Sequence, residues 1–439
     1  MLSMSFKLPV LSPGAFRLWL AFVVFVTHTT PLKLGASAVF LFFALSGYWI
    51  DRMWHAEYRH VARPVRTFYL SRLWRIFPVF YAALALMLIC AACGWIALPH
   101  PLLFPPTVPP GLDTAASSNV VGSTTSGPFA AIHYYFSHVL LFGYATITPA
   151  WRVIGPLWSI DIELQFYVVA PLVIWLLDKT RRMQSNPTDG TTADMEIPSI
   201  GARTGRIFLF AVCVLGLLHM LLAYRGDDST IGILPDYLAF FVAGAWVARR
   251  DWRFSTTQVQ SGAAIAFAIL LICAVYRPLR GVMFFGSAYG EMSYFNTLAN
   301  LLIAVALLPY AMTTTRKRPG KEITIERAGV MGWLHRRIDP ARLDRLLGAL
   351  SYEVYLLHGI VLLAMHDRGL LPTSTLARLP WLPLPLVIIV GLSLLVYYIA
   401  DRPLERARHR WVRTQPGYPT RPTATGSAAA IPLSKQTLH

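Results

Sequence analysis

Ten apolar runs, each near the length that crosses a bilayer, alternate with polar segments along the 439 residues. They predict helices near residues 14–31, 34–51, 76–98, 156–177, 207–224, 231–248, 259–276, 294–313, 348–365 and 384–401. Between the third and fourth runs, residues 99–155 begin rich in Pro, Ser, Thr and Gly and then turn aromatic at FAAIHYYFSHVLLFGY, residues 129–144. That second half predicts a helix lying at the membrane interface beside the bundle. Residues 178–206 read as a polar, flexible loop and residues 412–439 as a disordered basic tail. The expected organisation is one membrane domain over 1–411 followed by that tail. No internal repeat is visible, and the first run lacks a small-residue cleavage site, so it reads as a retained span.

Composition excludes an ordinary soluble enzyme: 55% of residues are hydrophobic, 14% are charged, and the mean hydropathy is +0.50. The net charge of +17 does not point to nucleic acid, because the basic residues punctuate apolar runs instead of gathering on a solvated domain. They report topology instead. With the N-terminus inside, 31 of the 39 Lys and Arg residues fall on inner segments and 7 on outer ones, with Arg17 inside the first run. This excess predicts an all-α, polytopic membrane helix bundle of about ten spans with both termini cytoplasmic. Cys90, Cys93, Cys213 and Cys273 all fall in apolar runs, so they suggest neither a disulfide framework nor a metal module.

Four groups of polar residues interrupt the apolar pattern. Arg17 and His28 share the first span, eleven positions apart, about 16 Å along one helix. They cannot share one small site, but they could serve opposite ends of a path through the membrane. Arg72 and Arg75 stand just before the third span at i, i+3, on one helix face. Paired guanidinium groups suit phosphate oxygens, and they equally suit lipid headgroups. The fourth span opens with GPLWSIDIELQFYVVAP, placing Asp161, Glu163 and Gln165 at or within the membrane edge. Glu163 lies at a depth close to that of His28, as a carboxylate beside a general-base histidine would, or as a polar pair bridging helices. In the ninth span Ser351, Tyr355 and His358 form a stripe at i, i+4, i+7. Such a stripe serves interhelical hydrogen bonds or proton transfer. Glu353 lies off the stripe and Asp401 closes the last span, where either could pair with an arginine.

Taken together, these blocks resemble the acyltransferase-3 family of integral-membrane O-acyltransferases. Arg17 with His28 looks like the family's first-helix motif, and FFALSG at 42–47 resembles its second-helix block. Arg72 and Arg75 resemble its paired arginines, WSIDIELQFY at 158–167 its tryptophan–serine block, and SYEVYLLH at 351–358 its late serine–tyrosine block. The family's usual glutamate near the end of the last helix is replaced here by Asp401, before Arg402 and Pro403. Some relatives carry a fused esterase-like domain, which this chain is expected to lack.

The resemblance implies transfer of an acyl group, most often acetyl, from cytoplasmic acyl-CoA to a sugar hydroxyl of an exopolysaccharide, lipopolysaccharide or related glycan. In that scheme the partners are acyl-CoA, a glycan or lipid-linked oligosaccharide acceptor and membrane lipids, in a bacterial inner membrane. No bound cofactor, metal or nucleic acid is expected. His28 and Glu163 would be catalytic, and Arg17, Arg72 and Arg75 would hold the donor. Ser159, Ser351, Tyr355 and His358 would support the site. Succinyl transfer or a small-molecule acceptor such as a macrolide belongs to the same class; a transporter or flippase of lipid-linked glycans is the reading from a different one.

Overall fold

The computed structural model of the chain describes residues 11–96, 128–146, 152–178, 200–223, 233–250, 252–276, 293–314, 339–372 and 377–419. Every regular element among them is helical. In chain order these are α1 (Pro13–Thr29), α2 (Gly35–Ala56), α3 (Pro64–Ala92), α4 (Pro128–Leu140), α5 (Leu157–Asp178) and α6 (Ile200–Ala223). There follow α7 (Leu234–Arg250), α8 (Thr256–Val275), α9 (Ser293–Thr314), α10 (Pro340–Asp367), α11 (Pro383–Val396) and α12 (Arg402–Arg413). A π-helical turn, Tyr397–Asp401, joins the last two. The chain is a multi-pass membrane protein.

Each of the ten apolar runs falls on one of these helices, and the aromatic stretch after residue 128 forms α4. Seven helical stretches among the described residues are long and apolar enough to cross a membrane, fewer than the ten expected. The three outside that set are α1 and α7, at 17 residues each, and α2, which carries Asp51 and Arg52. Their packing supplies the reason: α2 lies along α7 and α9, and α1 along α10, so all three face protein more than lipid. Two helices begin well before their apolar runs. Pro64 and Pro340 occupy first turns, where proline costs no hydrogen bond, and Asp339 caps α10 by accepting from the Ala341 amide. Arg72 and Arg75 therefore lie inside α3 rather than ahead of it.

α2 and α7 pack closely along their lengths. A side chain on Gly47 would run into the Phe241 carbonyl, and one on Gly244 into the Ala44 carbonyl, so each glycine admits the other helix's backbone. Gly47 thus explains its place in FFALSG by packing. At one end of the same helices, Arg249 bonds Asp51 and the Ile174 carbonyl and pairs with Asp178 at 3.2 Å, tying α7 to α2 and α5. His55, beyond the apolar part of α2, joins this clasp at 3.0 Å from Asp178. That hydrogen bond, with smaller help from Asp51, holds the imidazole pKa above its ordinary value against partial burial.

The C-terminal segment is more ordered than its composition suggests. Val412 is buried, Pro416 accepts a hydrogen bond from the Ala62 amide at 2.8 Å, and Gly417 packs on His60. Residues 412–419, assigned to the tail from the sequence, thus pack against the rest of the chain. Residues 420–439, like 97–127 and 179–199 of the expected loops, lie outside the described residues.

Candidate active site

A cavity of about 1070 Å³ enters the bundle at the end that carries α12. Its walls come from α1, α2, α3, α5, α10 and α12. Eight arginines line it, among them Arg17, Arg72 and Arg75, against the four carboxylates Glu163, Asp344, Asp401 and Glu405. A smaller chamber of about 50 Å³ continues inward, lined by Phe42, Phe43, Ser159, Ser351 and Tyr355 among others. Arg17, Ser46, Glu163 and Tyr352 line both spaces and mark the constriction between them.

The two α3 arginines differ in surroundings. Arg72 is buried, donates from Nη2 to the Tyr58 hydroxyl at 2.8 Å, and lies within 6.0 Å of the ring centres of Tyr58, Phe68 and Tyr167. Arg75 pairs with Asp401 at 3.1 and 3.3 Å and lies 5.8 Å from the Tyr352 ring. Asp401 is thus the partner of an arginine. The Nε of Arg17, like that of Arg72, is buried with no hydrogen-bond partner among the described residues.

Of the three polar residues that open α5, only Glu163 faces the cavity. Asp161 is buried and accepts from the Gly143 and Ala145 amides at 3.1 and 2.7 Å, fixing the turn after α4. Gln165 accepts from the Leu234 amide at 3.2 Å. Glu163 Oε1 accepts from Ser46 Oγ at 2.8 Å and from the Tyr167 hydroxyl at 2.7 Å.

Beyond the chamber the polar residues continue along α10. The Tyr355 hydroxyl and Ser159 Oγ are 2.6 Å apart, joining α10 to α5. One turn further, the His358 ring lies 5.9 Å from that of Tyr355 and 5.3 Å from that of His28. His358 is fully buried. Its Nδ1 donates to the Val354 carbonyl at 3.2 Å, since a carbonyl can only accept, so Nε2 carries the lone pair. That Nε2 has no hydrogen-bond partner among the described residues. His28, at the last turn of α1, is exposed. Ser351, the first member of the stripe, turns back to the Gly348 carbonyl at 2.7 Å.

A family profile, the acyltransferase domain of acyltransferase-3, matches residues 8–399. The chain belongs to the acyltransferase-3 family. Comparison with curated proteins and with solved structures gives no match. As an acyltransferase-3 protein the chain is an acyl-transferring enzyme of the membrane, which sets the transporter reading aside.

In this acyltransferase-3 chain His28 and Glu163 have different neighbours. Ser159 is level with Tyr355, Glu163 lies one turn along α5 on one side, and His358 lies one turn along α10 on the other. With antiparallel helices, those seven residues amount to about 10 Å. His28 meets His358, and Glu163 meets Ser46 and Tyr167. Ser46, Tyr58, Tyr167 and Tyr352 are the site residues that sequence reasoning missed. Ser46 and Tyr167 fall in motif blocks already noticed, FFALSG and ELQFY, where the polar atoms were the available signal.

Proposed function

We propose that this acyltransferase moves an acetyl group from acyl-CoA, entering from the cytoplasm, to a hydroxyl of an exopolysaccharide, lipopolysaccharide or related glycan. On this reading the arginine-lined end faces the cytoplasm of a bacterial inner membrane, as the excess of basic residues on inner segments suggests, and His28 faces the opposite side. The observation that carries the proposal is the order of spaces along a route through the bundle. The cavity and the chamber share Arg17 and Glu163 in their walls, and the chamber's lining reaches Ser159 and Tyr355, beside the two histidines.

Each part of the route has a chemical task. The wide end takes the nucleotide, and the narrow end admits only the slender thioester arm. His28 removes the proton from the acceptor hydroxyl as its oxygen attacks the thioester carbonyl carbon; the carbon–sulfur bond then breaks and the thiolate leaves, later taking up that proton. The His358 Nε2 lone pair is available to the imidazolium formed on His28. Ser159 and Tyr355 offer hydroxyl donors to the tetrahedral oxygen. Arg17 and Glu163 compensate each other's charge at the constriction that the acyl arm passes.

The deciding experiment uses membrane vesicles with the cytoplasmic face accessible and labelled acetyl-CoA. Label should enter extractable glycan with the wild type and not with His28→Ala. Equal incorporation by His28→Ala would overturn the mechanism, and label appearing only from a succinyl or other acyl donor would change the acyl group.

A further inference from the structure

If the donor is an acyl-CoA, its nucleotide end brings a pyrophosphate and a ribose 3′-phosphate into the cavity. The arginines of α3 are committed in part: Nη1 of Arg75 pairs with Asp401, and Arg72 gives Nη2 to the Tyr58 hydroxyl among three aromatic rings. Nearer the mouth the position is reversed. Arg345 on α10 and Arg402 and Arg406 on α12 line the same cavity, and Arg345 and Arg406 are exposed. None of the three has a hydrogen bond or ion pair with a carboxylate among the described residues. The contact of note is Arg402 over the Tyr398 ring at 5.3 Å.

The helix that carries two of these arginines is held firmly. Arg408 is buried, donates from Nη1 to Ser71 Oγ on α3 at 2.6 Å, and grips Glu405 with Nε and Nη2 at 2.8 and 2.6 Å. Ser71 in turn bonds the Tyr58 hydroxyl that receives Arg72. Val412 and the Ala62–Pro416 hydrogen bond secure its far end. A docked helix therefore presents uncompensated guanidinium groups at the mouth of a cavity whose narrow end suits a thioester arm. The planar forks of such arginines suit phosphate oxygens, and a held helix fixes where two of them start from.

We propose that Arg345, Arg402 and Arg406 bind the ribose 3′-phosphate of the acyl-CoA donor, an inference that rests on the acyl-CoA reading above. The elongated donor dictates the placement: with the acyl group past the constriction, beside Ser159 and Tyr355, the ribose end remains nearest the mouth, and the pyrophosphate lies nearer Arg72 and Arg75.

The test compares CoA with 3′-dephospho-CoA, using the full chain in nanodiscs made with and without anionic lipid. The wild type should prefer CoA by about tenfold or more, the contribution of one charge-assisted phosphate contact. Arg345→Gln/Arg402→Gln/Arg406→Gln should bind both ligands alike, at the affinity the wild type has for dephospho-CoA. Single substitutions should divide the effect among the three positions. An unchanged preference in the triple variant, or an equal loss for both ligands, overturns the proposal and leaves the acyl-CoA reading standing. A triple variant that loses only an anionic-lipid effect overturns it as well, assigning the arginines to headgroups. Binding of neither ligand by the wild type overturns the acyl-CoA reading itself.

Discussion

His28 and His358 lie with ring centres 5.3 Å apart and planes inclined by 32°. One ring is exposed at the end of α1, and the other is fully buried on α10 with its Nε2 lone pair unmatched among the described residues. An isolated histidine at that depth would have to stabilise a new positive charge unaided. A neutral imidazole beside it can accept a hydrogen bond from the charged form and hold its orientation.

The first prediction follows from this pair. His358→Gln should lower kcat about 100-fold, at the small end of what a proton-transfer partner contributes, while donor affinity stays at the wild-type level. His358→Ala is the poorer test, because it also opens a cavity in the core. If His358→Gln transfers acyl groups at the wild-type rate, or if only its folded yield falls, His358 is a packing residue.

Glu163 gives the second prediction, through its distance from that pair. Its hydrogen bonds go to Ser46 and Tyr167 at the constriction. Glu163→Gln should slow turnover by leaving Arg17 uncompensated where the acyl arm passes. Combined with His358→Gln, the losses should multiply, as distant sites without shared partners add to within about 0.5 kcal/mol. A double variant no slower than the worse single one would restore a direct Glu163–histidine link.

These two residues also show where sequence reading stops. The spans, Arg17 and His28 were legible because a polar residue in an apolar run stands out at any distance from its partner. Equal depth suggested Glu163 as that partner, but depth along the membrane says nothing about position around the bundle. The packing of α1 on α10, which brings residue 28 to residue 358, has no local signature. The C-terminal helix was obscured for another reason. In RPLERARHRWVR the arginines were read as topology and tail, although Leu404, Arg408 and Trp411 already stood on one helical face. Glu405, three residues before Arg408, is local, but Ser71, the other group that makes a buried Arg408 tolerable, comes from α3.

The third prediction concerns stability. Gly47→Ala and Gly244→Ala each drive a methyl group into a backbone carbonyl across the α2–α7 contact, where neither helix can yield without moving the other. Each should cost about 1–3 kcal/mol and lower the melting temperature of the detergent-solubilised protein. Gly391→Ala is the matched control. Nothing lies within 4 Å of its added carbon, and it sits inside α11, so alanine there should be neutral or stabilising by up to about 1 kcal/mol. Equal effects at all three positions would mean that glycine serves α2 and α7 by something other than close approach.

The last prediction is a pH dependence in the clasp formed by His55, Asp51, Asp178 and Arg249. The hydrogen bond to Asp178 raises the His55 pKa in the folded protein, so folding favours the protonated imidazole. A raised folded-state value gives stability that is whole below the unfolded value of about 6.5 and is lost as pH rises through the folded one. The wild type should therefore melt at progressively lower temperature on going alkaline from neutral pH. His55→Gln keeps a hydrogen-bonding side chain without the titration, so its melting temperature should be flatter over the same range and lower than that of the wild type at acid pH. Because Arg249 also bonds Asp51 and pairs with Asp178, the change should be partial and not an unfolding. A His55→Gln variant with the wild-type slope would move the pH dependence to another group.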